Sequence, residues 1–369
     1  MLFVSSISPT SAQTPAPSKP LPRRRPLIID TLGSINNPNL PEGAEDGPGK
    51  GIDARALADA RAAGLCAFNQ TMGYWSGKEE PFELSVRDVA AWDALIRSKP
   101  EALIKVLAAK DIRRAQAERK VGVIYGFQNA AMMGSDAQRV AIFANLGVRV
   151  IQLTYNIRNQ IGDGAMVVEN QGLTPLGREV VQELNKHRVL VDLSHSGEAT
   201  CLDALATSKQ PIIISHSGCR AVADLPRNKS DAELRLLADK GGFVGIYFMP
   251  FLAVGRQPTA ADLIAHIEHA IKICGEDHVG IGTDGTVSQM DDMPAYMERL
   301  KKDVERRRAA GIGAAGERAD IVTFLPDLNG PSKFMRLADL LAKRGHKSAR
   351  IEKILGVNFL RVAERVWGA

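Results

Sequence analysis

The chain has 369 residues, 45% of them hydrophobic and 24% charged, with a formal net charge of +5. That length buries the core of one large domain or two smaller ones, and the composition is that of an ordinary globular protein rather than a disordered or fibrous one. Basic residues gather only at Arg23, Arg24 and Arg25 and around Lys301 to Arg308; both stretches read as solvated segments, which sets nucleic-acid binding aside.

The opening MLFVSSISPTSAQ is apolar and then small, and Thr14 to Pro22 is rich in proline. This resembles the tail of a secretory signal, and it is too short to span a bilayer. Residues 1–26 are therefore expected to be a signal remnant and linker and residues 27–369 one domain, with a periplasmic or secreted location. The alternative is a cytoplasmic protein with a disordered N-terminal tail. Cys66, Cys201, Cys219 and Cys274 show no Cys-x-x-Cys spacing, so neither a zinc ribbon nor a disulfide framework is expected.

Beyond the linker, short apolar runs rich in Val and Ile alternate with longer helical stretches. The runs are Leu27–Leu32, Gly64–Phe68, Val121–Phe127, Val148–Thr154, Val189–Ser194, Pro211–Ser215, Phe243–Phe248 and His278–Thr283. Near-continuous apolarity is what parallel strands buried on both faces require. Between them Ala54–Ala63, Val86–Ala108, Leu176–Lys186 and Asp231–Lys240 read as helices. Eight such units predict an α/β fold of the (β/α)8 TIM-barrel type. An open doubly wound sheet is the rival, but no Gly-x-Gly-x-x-Gly follows the first run, so its dinucleotide-binding form has no support.

Active sites of such barrels lie at the C-terminal strand ends. Polar residues stand there: Ser34, Gln128, Tyr155, His195, His216 and Asp284, each following a different run. Imidazoles on successive strand ends, His195 and His216, can share one metal ion. Asp284, between Thr283 and Gly285, suits a metal ligand or a general base, with a helix cap as the structural alternative. Arg227 suits a bidentate grip on a substrate carboxylate, and a surface ion pair serves it equally well. His187, His266, His269, His278 and His346 fall in helices or at the wrong strand ends; His266 and His269, spaced for one helix face, read as surface residues.

Several motifs together resemble the membrane dipeptidases. They are Gly147-Val148-Arg149 through Leu153-Thr154-Tyr155-Asn156, Gly172-Leu173-Thr174, Gly177-Arg178-Glu179-Val180-Val181, Asp192-Leu193-Ser194-His195, Ser215-His216-Ser217, Pro226-Arg227-Asn228, Gly241-Gly242-Phe243, and the tail Ile354 to Val362. The likeness runs from about Ile28 to Val362. It implies a (β/α)8 barrel, often dimeric, hydrolysing dipeptides with two zinc ions. The two histidine ligands map to His195 and His216. Arg227, Asn228 and Tyr155 map to the substrate, and Asp284 to the strand-eight aspartate. The remaining ligand positions are altered: the His-x-Asp pair falls on Leu32 and Ser34, and the bridging glutamate on Gln128. Leu32 has no donor, and neutral Gln128 cannot offset the repulsion between two neighbouring dications. At most one zinc is expected, on His195 and His216 with Gln128, Asp284 or water completing the shell.

Three functions follow as alternatives. One is a hydrolase of dipeptides or related small carboxylates with one metal, Asp284 acting as base. The second is a metal-free enzyme using Tyr155, Asp284 and the histidines as acid and base. The third is a non-catalytic protein that binds through Arg227.

Overall fold

The β-branched runs form strands because their side chains pack on both faces of a sheet, and nine of them are present in the computed structural model of residues 25–41, 43 and 49–368. The expected signal remnant and linker lies outside the described residues except for Arg25 and Pro26. The strands are β1 (Ile28–Asp30), β2 (Leu65–Thr71), β3 (Leu103–Lys105), β4 (Val121–Phe127), β5 (Val148–Gln152), β6 (Leu190–Asp192), β7 (Ile213–Ser217), β8 (Phe243–Ile246) and β9 (Val279–Ile281). The helices are α1 (Ala54–Ala62), α2 (Pro81–Ser98), α3 (Ala109–Glu118), α4 (Arg139–Asn145), α5 (Pro175–Lys186) and α6 (Glu198–Thr207). They continue with α7 (Asp231–Asp239), α8 (Ala260–Cys274), α9 (Met293–Ala309), α10 (Lys333–Lys343), α11 (Ser348–Glu352) and α12 (Asn358–Trp367).

All strand pairs are parallel, in the order β1-β2-β4-β5-β6-β7-β8-β9. The ends of that row meet: Thr31 N donates to Ile281 O at 3.2 Å, Asp284 N to Leu32 O at 2.8 Å and Ser34 N to Gly285 O at 2.9 Å. The sheet thus closes into the expected (β/α)8 barrel, which leaves no long unpaired edge.

One element departs from expectation. The helix expected over Val86–Ala108 stops at Ser98, because Pro100 excludes the α region at Lys99; Lys99 sits at φ −130, ψ 51. Leu103–Lys105 then runs as β3 along the first residues of β4, with Leu103 opposite Val121, and β5 takes the last ones.

Two packed layers hold the barrel. Ile29, Ala67, Ile124, Val150, Leu190, Ile213 and Phe243 point inward at the N-terminal end, and Phe359, Leu360, Val366 and Trp367 of α12 close it from below. Each such large apolar side chain contributes about 1.5–3 kcal/mol on burial. The opposite, C-terminal mouth is left for polar side chains, and α9 with the segment after it lies across that mouth. The barrel interior is tight near it. A Cβ on Gly282 would lie 1.9 Å from Ser215 O, and one on Gly245 2.2 Å from the same atom. Only glycine lets β7, β8 and β9 approach so closely there. The four cysteines are buried and unpaired.

Candidate active site

Asp192 ends β6 fully buried and organises the two strand ends beside it. Its Oδ1 accepts from Ser194 N (3.0 Å), Ser194 Oγ (2.6 Å) and Ser215 N (2.9 Å), and its Oδ2 accepts from Ser215 Oγ at 2.5 Å. Burial pushes its carboxyl up, against these hydrogen bonds. Since the single hydroxyl proton of Ser215 goes to Asp192, Ser215 Oγ accepts from His216 Nδ1, 2.8 Å away. His216 is thereby the Nδ1–H tautomer, with its Nε2 lone pair free.

His195 reaches the same state by another route. Asn156 donates its Nδ2 to Ile312 O at 2.8 Å, which turns its Oδ1 toward His195 Nδ1 at 2.6 Å. The two Nε2 atoms therefore face each other with lone pairs forward, 3.0 Å apart. Burial, and next the Arg227 guanidinium, hold both rings well below the usual histidine pKa, so both are neutral and able to bind a cation. One metal about 2 Å from each of two nitrogens needs them about 3.3 Å apart, close to the separation present.

The loops carrying these rings are clamped from behind. Arg227, 1% exposed, donates through Nη1 to Ser194 O, and Lys229 Nζ donates to Ser196 O at 2.6 Å. Buried Glu233 lies 3.5 Å from Lys229 and balances its charge. His195 thus sits between two anchored carbonyls.

Asp284 follows β9 in the left-handed region, φ +55, where aspartate is among the few residues tolerated beside glycine. Asp30 pins the preceding residue, accepting from Thr283 N at 2.7 Å and Thr283 Oγ1 at 2.6 Å. Asp284 Oδ2 lies 4.0 Å from His216 Nε2. Desolvation pushes its carboxyl up to about 6, opposed by Arg227 and Arg307. It remains a carboxylate at neutral pH, with a proton affinity suited to a general base.

Tyr155 stacks on His195 with ring centroids 4.2 Å apart, and Trp75 packs on Tyr155 at 5.3 Å. Arg307 Nη1 donates to Tyr155 Oη at 3.2 Å while its other nitrogens hold Glu317. Burial raises the Tyr155 pKa, so the phenol keeps its proton. A cavity of about 240 Å³ is bounded by His195, Arg227, Asp284, Tyr155 and Arg307.

The structure therefore brings together Tyr155, His195, His216, Arg227 and Asp284. Four expected positions lie elsewhere. Gln128 donates its amide nitrogen to Thr71 Oγ1 at 2.7 Å and opens on a neighbouring cleft with Trp75 and Tyr155. Asn228 is buried behind Arg227, its amide spent on Ala223 O, Phe251 O and the Tyr247 hydroxyl. Ser34 lines a second cavity and Leu32 is buried in the wall.

Two readings need correction. Arg307, in the basic stretch taken as solvated, points inward and is mostly buried; Leu300, Val304 and Arg307 share one helix face, the spacing that could have revealed it. His266 is not a surface residue: it is fully buried, accepting from Cys219 N at 2.8 Å and donating to Leu252 O at 3.0 Å. His269 is half-buried against Asp231 at 2.7 Å. Asn156 and Asp192 were visible only as parts of motifs, because their roles depend on strands far apart in sequence.

A closed parallel barrel with paired histidines at its C-terminal mouth defines a member of the metal-dependent hydrolase barrels. Residues 62–311 match the family model of membrane dipeptidase, peptidase family M19. An amidohydrolase from Pseudomonas aeruginosa superposes with a TM-score of 0.78 and 33% identity, covering 93% of this chain and 97% of that one. Dipeptidase tcpJ of Claviceps purpurea is 30% identical over 263 residues, 70% of this chain and 54% of that protein. Dipeptidase verJ of Clonostachys rogersoniana is 32% identical over 228 residues, 60% of this chain and 49% of that protein. The aligned region thus spans about half the length of these two fungal relatives. The chain belongs to the membrane dipeptidase family of hydrolases.

Proposed function

We propose that the protein hydrolyses dipeptides or closely related small carboxylates with one metal ion rather than two. The observation that carries this reading is the pair of buried, neutral imidazoles whose Nε2 lone pairs face each other across 3.0 Å. Two lone pairs at that distance repel unless a cation lies between them. A second metal does not fit: Leu32 offers no donor, Ser34 offers only a neutral hydroxyl, and Gln128 offers a neutral amide that opens on a neighbouring cleft. His195 and His216 would hold the single ion, with solvent or substrate completing its shell. The ion would supply Lewis-acid polarisation of the scissile carbonyl.

The chain's own residues then have separable roles. Arg227 holds the substrate carboxylate. Asp284 takes the proton of the attacking water. Tyr155, whose oxygen already accepts from Arg307, directs its own O–H into the cavity and donates to the developing oxyanion. A metal-free reaction on the same residues is the second reading. It is favoured by one observation: among the described residues no three His, Cys, Asp or Glu side chains are grouped to hold a metal.

Turnover of a dipeptide library by the full chain, with and without chelator, separates the two. Loss of activity on chelation and in His195→Ala supports the one-metal reading. Activity that survives chelation supports the metal-free one, and no turnover of any dipeptide overturns both.

A further inference from the structure

Asp284 borders two cavities, not one. Behind it, sharing Asp284 and Thr323 as wall residues with the first, lies a second cavity of about 220 Å³. Its walls are apolar, formed by Phe248, Met290, Phe324, Leu325 and Leu328, while its polar groups include Ser34, Ser288, Asn329 and Lys333. Asp284 thus stands between the two cavities, or lobes, with one on either side of its carboxylate.

The second lobe contains a buried ammonium and a hydroxyl that bonds nothing in the protein. Lys333 is only 5% exposed, and its ammonium donates to Thr286 O. Asp30 lies behind it but directs both carboxylate oxygens to Thr283 and does not line the cavity. Burial lowers the Lys333 pKa and the Asp30 charge raises it; with one of its three N–H groups given to Thr286 O, the ammonium has donors left for a ligand carboxylate. Ser288 Oγ is buried with no hydrogen-bond partner in the protein, a state that costs about 1–3 kcal/mol unless a ligand or water fills it. A cation and an orphaned hydroxyl, set among apolar walls, fit a side chain with a methylene stem and a carboxylate tip.

We propose that this lobe is a subsite for an acidic side chain, so that the enzyme prefers dipeptides whose N-terminal residue is glutamate or aspartate. The inference rests on the reading above, in which Arg227 holds the C-terminal carboxylate in the first lobe. With that carboxylate on Arg227 and the scissile bond beside Asp284, the N-terminal side chain enters the second lobe and its carboxylate meets Lys333 and Ser288.

The test compares glutamyl-alanine with glutaminyl-alanine, which differ by one charge at nearly equal shape. Affinity is read by calorimetry on the full chain loaded with zinc and turnover is read separately, so failure of hydrolysis sinks the proposed function while the affinities still decide the subsite. The expected result is a preference for the glutamyl compound of about tenfold or more. That ratio collapses toward unity in Lys333→Met and falls severalfold in Ser288→Ala. Lys333→Met leaves Asp30 without its counter-charge and is accepted only if its thermal transition remains cooperative. Ser288→Ala removes an atom that bonds nothing in the protein and keeps the fold. Equal affinities in the parent protein overturn the proposal, and so does a glutamyl preference that stays undiminished in Ser288→Ala or in folded Lys333→Met.

Discussion

Replacing Asp192 by Asn changes one atom of a buried carboxylate and should change what His216 can bind. The amide oxygen can keep the three contacts now made by Oδ1, from Ser194 N, Ser194 Oγ and Ser215 N. The amide nitrogen then faces Ser215 Oγ, where Oδ2 accepted at 2.5 Å, and donates instead. Ser215 must turn its proton to His216 Nδ1, which lies 2.8 Å away, and the imidazole shifts its own proton to Nε2. That nitrogen becomes a donor pointing at His195, and zinc binds only after the proton returns to Nδ1. Loss of one charged hydrogen bond costs about 1.5–3 kcal/mol, partly offset because a buried charge is removed. The thermal midpoint should fall by a few degrees. The effect on zinc is larger, about 10–100-fold in affinity, as for other partners that orient a ligating histidine. A competition titration against a chromophoric chelator measures it beside a thermal unfolding curve. Unchanged zinc affinity in a folded Asp192→Asn protein would show that Ser215 does not set the His216 tautomer.

Two further predictions concern stability. Burial lowers the His266 pKa from 6.5 to about 4, so between those values the unfolded chain binds a proton that the folded chain does not. This contribution is present above about 6.5 and is lost as pH falls through that window, amounting to about 3 kcal/mol. Urea midpoints between about pH 4 and 7 should show this slope, and His266→Gln should flatten it; an unchanged slope removes His266 as its source. Gly282→Ala sets a Cβ 1.9 Å from Ser215 O and 2.7 Å from Thr31 Oγ1, at a cost of about 3 kcal/mol or more. Gly285→Ala, with nothing closer than 3.9 Å, should leave the thermal midpoint nearly unmoved. Equal midpoints for the two variants would contradict the close approach of the strands.

The barrel was legible because parallel strands buried on both faces write themselves as apolar runs, and eight of the nine did so. β3 was missed because its three residues follow directly on a long helical pattern, and only Pro100 marks the break. Strand ends disclosed His195, His216 and Asp284, since a polar residue after an apolar run is a local signal. What was not legible is relational. Nothing local to Asn156 shows that Ile312 orients its amide, 156 positions away, or that Asp30 braces the Asp284 turn across a separation of 253. Arg307 was hidden by its charged neighbours, although its helix spacing with Leu300 and Val304 placed it on the inward face. Asn228 misled in the other direction: it stands in a motif with Arg227, yet its amide serves Ala223, Phe251 and Tyr247.

The central claim is one metal ion on two histidines, and the direct test is to count it. The full chain is equilibrated with zinc, freed of excess, and analysed by elemental mass spectrometry beside His195→Ala and His216→Ala. The account predicts about one zinc per chain and none in either variant. Two zinc ions per chain would contradict the dismissal of Leu32, Ser34 and Gln128 as ligands, and no zinc in the parent protein would contradict the one-metal site itself.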